Sequence, residues 1–219
     1  MPSGTADRVC RLSSAFSESA IATSAALQAL LTTLHRHDPE GLAHAHRVAV
    51  QSLRLGEELG MGERDLDDLE RAAWLHDLGR IAIPDIAVTE TSAYDGTVER
   101  RRGEQVRAVQ AITNDTPFLH AAADLVVASR EYFDGSGVPS GLSGSDIPIG
   151  ARVLHVADVF DALTSLCVAM SYTTKSVSGE LVRCAGSRFD PDVVAAWLRC
   201  SDDAPLALIP WLASRERRV

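Results

Sequence analysis

The chain has 219 residues, enough for one sizeable domain, and an ordinary globular composition of 46% apolar and 23% charged residues. Its net charge is −9, and dense positive charge occurs only at Arg100-Arg101-Arg102 and within Arg215–Arg218. The cationic stripe that grips a polymeric nucleic acid is therefore missing, and any phosphate ligand would need a local cationic patch or a metal ion.

The four cysteines, Cys10, Cys167, Cys184 and Cys200, are scattered without a C-x-x-C pair, which speaks against a thiolate zinc site or a disulfide framework and for isolated thiols in a reducing compartment. No run of apolar residues is long enough to span a membrane, and the N-terminus shows no secretion signal, so a cytoplasmic protein is expected.

Taken in chain order, the elements read as helices. Residues 1–28 form an extension with a lead-in helix, and residues 29–200 form one helical domain. Asp38-Pro39 places a capping carboxylate before a proline at the first helical position, where the missing N–H has no partner anyway. The helix it starts runs to about Leu59, with Leu42, Ala45, Ala49, Leu53 and Leu55 on its apolar face and Gly60 as a left-handed stop. A second helix covers 63–78, with Leu66, Leu69, Ala72, Ala73 and Leu75 toward the core and Gly79 ending it. A third spans about 97–113. Thr116-Pro117 and Asp190-Pro191 repeat the cap-and-proline signal, predicting helices from 117 and 191. Residues 132–150, rich in Gly, Pro and Ser, read as a long ordered loop. Another helix follows from Pro148 through Leu166 with Val153, Val156, Ala157, Phe160 and Leu163 inward. Residues 201–219 are a helical tail. No period-2 run appears, so the fold class is all-α, a single helical bundle with little or no sheet.

Leu75-His76-Asp77-Leu78-Gly79-Arg80 sets an imidazole beside a carboxylate at the end of an apolar helix. Burying that pair without a partner is unfavourable. Either a hydrogen-bonded structural pair or a divalent metal satisfies it, and mixed His and carboxylate ligation suits Fe, Mn, Zn or Mg. Glu40 and His44 lie four apart on one helix face and could meet His76 and Asp77 across a helix contact, although Glu40 also suits first-turn stabilisation by the helix dipole. Of His44 and His46, only one need face inward. Asp158 and Asp161 fall within one turn of an apolar helix, so at least one points inward; for Asp161 an exposed face or a bond to a neighbouring helix is the expectation. Glu104 and Glu131 read as solvated charges, with a role as oxygen ligands the alternative.

His37-Asp38-Pro39 leading to His44-Ala45-His46-Arg47-Val48, the 75–85 segment, Asp134-Gly135-Ser136-Gly137-Val138-Pro139-Ser140-Gly141-Leu142, Asp158-Val159-Phe160-Asp161-Ala162-Leu163 and Phe189-Asp190-Pro191 together resemble the HD-GYP branch of the HD phosphohydrolases, over roughly 35–198. The resemblance implies a helical bundle that hydrolyses the bacterial messenger cyclic di-GMP with two or three metal ions. It implies His44, His76, Asp77 and Asp158 as ligands, Glu40 as an additional one, and Asp77 as the group that bridges metals and positions the attacking hydroxide.

Departures from that pattern cluster on function. Arg80 stands where the family has lysine, keeping charge with a different donor geometry. The stretch 99–112 has no histidine, Ser129-Arg130 replaces a pair of histidines, and Val138 replaces the signature tyrosine. Met170-Ser171-Tyr172-Thr173 replaces a phosphate-holding Arg-Pro-Tyr-Arg segment. The lost histidines are those of a second metal centre, so one ion rather than two or three is expected. Arg80, Arg130 and Lys175 are the cationic candidates for substrate phosphate, and Asp77 and Arg80 the catalytic pair. Two functions stay open: a metal-dependent phosphodiesterase acting on a cyclic dinucleotide, cyclic di-GMP first, or a catalytically inactive module that binds a nucleotide or a signalling-protein partner. A scaffold without any ligand ranks last, because it leaves buried His and Asp without a purpose. Neither a membrane nor polymeric nucleic acid is expected as partner, and a homodimer is compatible with either function.

Overall fold

The structure is a computed structural model that describes residues 38–77, 108–111, 113–170 and 174–200, with backbone alone at 166–170 and 174–176. The segments 1–37 and 201–219, Glu104, Gly79 and Arg80 lie outside these residues, as do the side chains of Lys175 and Cys167.

The first helix, α1 (Pro39–Glu58), begins as its sequence predicts. Asp38 Oδ1 accepts the Gly41 N–H at 2.8 Å, and Pro39 takes the first position. Gly60 terminates the turn beyond it at φ +71°, a conformation that a Cβ would strain. The second helix, α2 (Glu63–Leu75), follows after so short a turn that it must run back along α1. His44 and His76 are each sixteen residues from Gly60, so an antiparallel pair brings them to the same end.

Of the helix predicted over 97–113, the described part is helical at 108–111 and 113. Thr116 makes no side-chain capping bond, and Pro117–Leu119 form one 3-10 turn before α3 (His120–Ala128) starts. The predicted helix therefore begins three residues late. The long helix α4 (Ile149–Met170) packs on α1, α2 and α3, and α5 (Thr174–Arg183) and α6 (Pro191–Cys200) close the bundle. Asp190 caps α6 through the Asp192 N–H at 2.7 Å and is also ion-paired with Arg152 of α4. Among the described residues there is no strand beyond an isolated bridge between Ala185 and Phe189. No described helix is long and apolar enough to cross a membrane.

The core is aliphatic. Val48, Leu53 and Leu55 of α1, Leu69 and Leu75 of α2, and Val153, Leu154 and Val156 of α4 are all at or below 1% exposure. Each such side chain contributes about 1.5–3 kcal/mol. Isolated helices of these lengths are marginal in water, so this shared core holds them.

The loop after α3 is ordered by a buried carboxylate. Glu131 was expected in solvent, yet it is 2% exposed and accepts the Ser140 N–H at 2.5 Å and the Gly141 N–H at 3.1 Å. Two backbone N–H groups directed at the carboxylate offset the loss of its hydration in the interior. Gly137 presses so closely on this turn that a Cβ would meet Tyr132 N at 2.1 Å and Glu131 C at 2.6 Å. His155 of α4 supports the loop from below, stacked on Tyr132 and accepting from Arg188 Nε at 3.2 Å. Burial and the Arg188 charge push its pKa down to about 3, so the ring is neutral and able to accept. We expect Gly137→Ala to destabilise the fold by more than about 1 kcal/mol. Denaturant unfolding checks this, and an unchanged midpoint would show that the backbone can give way here.

Candidate metal centre

His44 and His76 meet at the end of the α1–α2 pair with their Nε2 atoms 3.1 Å apart. His46, the other histidine of α1, is exposed and packs edge-on against Trp74. Both inward rings have their Nδ1 committed. His76 Nδ1 is 2.7 Å from the carbonyl of Ala73, and His44 Nδ1 is 2.7 Å from Asp161 Oδ2. A carbonyl and a carboxylate only accept, so each Nδ1 carries hydrogen and each Nε2 is left with its lone pair. Two bare Nε2 atoms at this separation repel. Protonation of a ring or a bound metal ion removes that repulsion.

The surrounding charge favours a cation. Asp158 Oδ1 lies 3.3 Å from His44 Nε2 and 3.6 Å from His76 Nε2; Asp77 approaches the same nitrogens at 3.7 and 3.8 Å. His44, His76 and Asp77 each present a ligand atom within 4.8 Å of the others. Burial opposes protonation of His44, but hydrogen bonds to Asp158 and Asp161 and the charge of Asp77 outweigh it and raise the pKa to about 9. Burial likewise opposes protonation of His76, and Asp77 and Asp158 reverse the sign. Asp158 is itself held well below the usual carboxylate range, its own burial being outweighed by the two imidazoles and by Arg130. Nitrogen and oxygen donors converging on one point, with their outer hydrogens already fixed, suit a divalent metal of the Fe, Mn or Zn type.

Asp161 is the residue that sequence reasoning undervalued. It bonds to a neighbouring helix, as one of the two expectations held, but it is not exposed: its side chain is 5% accessible. Besides orienting His44, it is gripped by Arg47, whose Nε lies 2.8 Å from Oδ1 and Nη2 3.0 Å from Oδ2. The spacing of Asp158 and Asp161 on one turn was the available signal. What it could not show is that Arg47, one turn from His44, supplies the counter-charge.

The other candidates separate. Glu40 is not brought to the cluster; its side chain is 80% exposed and paired with Arg47 at 3.2 Å. Arg130 is brought to it, with Nη1 3.4 Å from Asp158 Oδ2 and Nη2 3.5 Å from the carbonyl of His76. Ser129 donates its hydroxyl to the carbonyl of Val126 and faces its own helix.

The model of the HD domain family matches residues 28–193, three quarters of the chain. The chain belongs to the HD domain family. Among curated relatives, the 3'3'-cGAMP-specific phosphodiesterase 2 of Vibrio cholerae is 32% identical over 164 residues, 74% of this chain and 31% of its own length. The cyclic di-GMP phosphodiesterase response regulator RpfG of Xanthomonas campestris pv. campestris is 32% identical over 176 residues, 79% and 47% of the two chains. A cyclic di-GMP phosphodiesterase of Thermotoga maritima is 31% identical over 169 residues, 74% and 45%. This HD domain thus spans less than half the length of these relatives. The crystal structure of a cyclic GMP-AMP-specific phosphodiesterase of V. cholerae, V-cGAP3, superposes with a TM-score of 0.61 at 18% identity, covering 85% of this chain and 49% of that one. It supports the all-helical HD fold.

Two outcomes follow from the geometry. A metal ion would have to displace the proton of His44, so affinity for a divalent ion should rise with pH up to roughly pH 9, with at least one proton released. Calorimetry in buffers of different ionisation enthalpy measures this; pH-independent binding without proton release would contradict the arrangement. In the metal-free protein the sign is opposite. The imidazolium of His44 stabilises the fold fully below its unfolded value of 6.5, and that contribution fades as pH rises through about 9. Second, Asp161→Asn should weaken metal binding about 10–100-fold by releasing the His44 tautomer. Glu40→Ala, which removes an exposed pair, should leave binding within about twofold in the same titration.

Proposed function

We propose that this HD domain is a metal-dependent phosphodiesterase that opens a cyclic dinucleotide, with cyclic di-GMP the first candidate, at a centre holding one divalent ion. The single observation that carries the proposal is the facing pair of Nε2 atoms with both Nδ1 hydrogens already committed. The activities named for the relatives, on cyclic di-GMP and on 3'3'-cGAMP, point the centre toward this substrate class.

In this reading His44, His76, Asp77 and Asp158 hold the ion. The ion supplies Lewis-acid chemistry, lowering the pKa of a water and polarising a phosphoryl oxygen. Asp77 orients the attacking water with a carboxylate oxygen. Water adds to phosphorus and gives up a proton, the bond from phosphorus to one ribose oxygen breaks, that oxygen takes up a proton to become a hydroxyl, and a linear dinucleotide with a terminal phosphate is formed. Asp161, anchored by Arg47, keeps His44 in the ligating tautomer throughout. Arg130, beside Asp158, neutralises charge on the phosphoryl oxygens, and Arg80 and Lys175 are assigned to the same task. Glu40 is assigned to Arg47 rather than to the metal.

The test combines elemental analysis with a hydrolysis assay on cyclic di-GMP and 3'3'-cGAMP. We expect metal-dependent turnover that chelator removes, added Mn or Fe restores, and His76→Ala abolishes. Metal bound without turnover of either nucleotide would overturn the enzymatic reading and favour a regulatory module, the reading to which the Ser129-Arg130 replacement lends weight.

A further inference from the structure

Asp158 divides its two oxygens. Oδ1 faces the imidazoles of His44 and His76, at 3.3 and 3.6 Å, while Oδ2 faces the guanidinium of Arg130 at 3.4 Å. A second ion of a paired site, about 3.5–4 Å from the first, would come close to the outer oxygen of Asp158. Here the second oxygen already has a cationic neighbour. We propose that Arg130 takes the place of a second cation at Asp158 and thereby limits the centre to one metal ion.

Three observations make the guanidinium a fixed occupant. It retains its charge at any physiological pH, so unlike a histidine it cannot become a ligand by losing a proton. Its side chain is only 18% exposed, and its second nitrogen lies toward the backbone carbonyl of His76, itself one of the converging residues. Its backbone is held on both sides. The Arg130 N–H donates to the Val127 carbonyl at the end of α3, and the next residue, Glu131, is clamped by the Ser140 and Gly141 amides. The loop thus fixes the point from which the Arg130 side chain reaches Asp158.

Charge balance gives the substitution a use. Asp77 and Asp158 carry two negative charges, which one divalent ion neutralises, and Arg130 then leaves the centre with a single positive charge facing an anionic phosphodiester. A second divalent ion beside Arg130 would bring like charges together. The inference rests on the metal-binding reading of the site, but not on hydrolysis.

The experiment is metal titration of the full chain with Mn, read by elemental analysis and by the electron paramagnetic resonance of the bound ion. We expect wild type to saturate at about one ion per chain with the hyperfine pattern of an isolated ion. Arg130→His should rise toward about two ions and show exchange coupling, and Arg130→Lys should stay at one. A coupled pair in wild type, or Arg130→His saturating at one ion with wild-type spectra, would overturn the proposal. Wild-type saturation is measured without any substitution and stays decisive even where a variant folds poorly. Absence of turnover alongside the expected metal counts would remove the phosphodiesterase reading and leave this one standing; absence of any bound metal would remove both.

Discussion

The structure turns on two imidazoles that face each other through Nε2 and are each held from behind at Nδ1. Once Ala73 and Asp161 fix the Nδ1 hydrogens, the facing Nε2 lone pairs require a protonated ring or a bound metal ion. The bundle supplies the conditions for that requirement. The antiparallel α1–α2 pair sets the rings at one end, and α4 brings two carboxylates from a single turn, one inward to the cation and one outward to the ring behind it. Apart from the bond of His76 to Ala73, none of these contacts is local in sequence, so they form only when the helices pack. The aliphatic core is what makes the polar centre possible.

Much of this was legible in the residues. Cap-and-proline pairs announced α1 and α6, and the equal distances of His44 and His76 from Gly60 make their meeting a consequence of one short turn. The all-helical class followed from the apolar periodicity. What could not be read was the partner of each charge. Glu131 looked like a surface residue because nothing in its neighbours says that two loop amides nine and ten positions on will converge on it. Glu40 shares a helix face with His44, yet Arg47 draws it outward. Thr116 resembles Asp38 as a cap, but a 3-10 turn intervenes and its hydroxyl makes no capping bond. Spacing along a chain gives the face of a helix; it does not give the counter-ion.

The same distinction bears on what divergence has done to this HD domain. His44 and His76 are each held twice, by a helix end or face and by a hydrogen bond to Nδ1 from behind. The replaced residues, at Ser129, Arg130 and Val138, sit where the chain leaves α3 and enters the loop. That loop keeps its shape through features independent of the replaced side chains: the Glu131 clamp, the close approach at Gly137 and the neutral His155 beneath. None of these features involves the side chain at 130, so the fold of the loop does not depend on which side chain stands there. In a chain with net charge −9, a cation fixed at the centre is also a direct way to make one spot attractive to an anion. The loop is therefore best understood as a rigid mount that holds the Arg130 guanidinium against the Asp158 carboxylate.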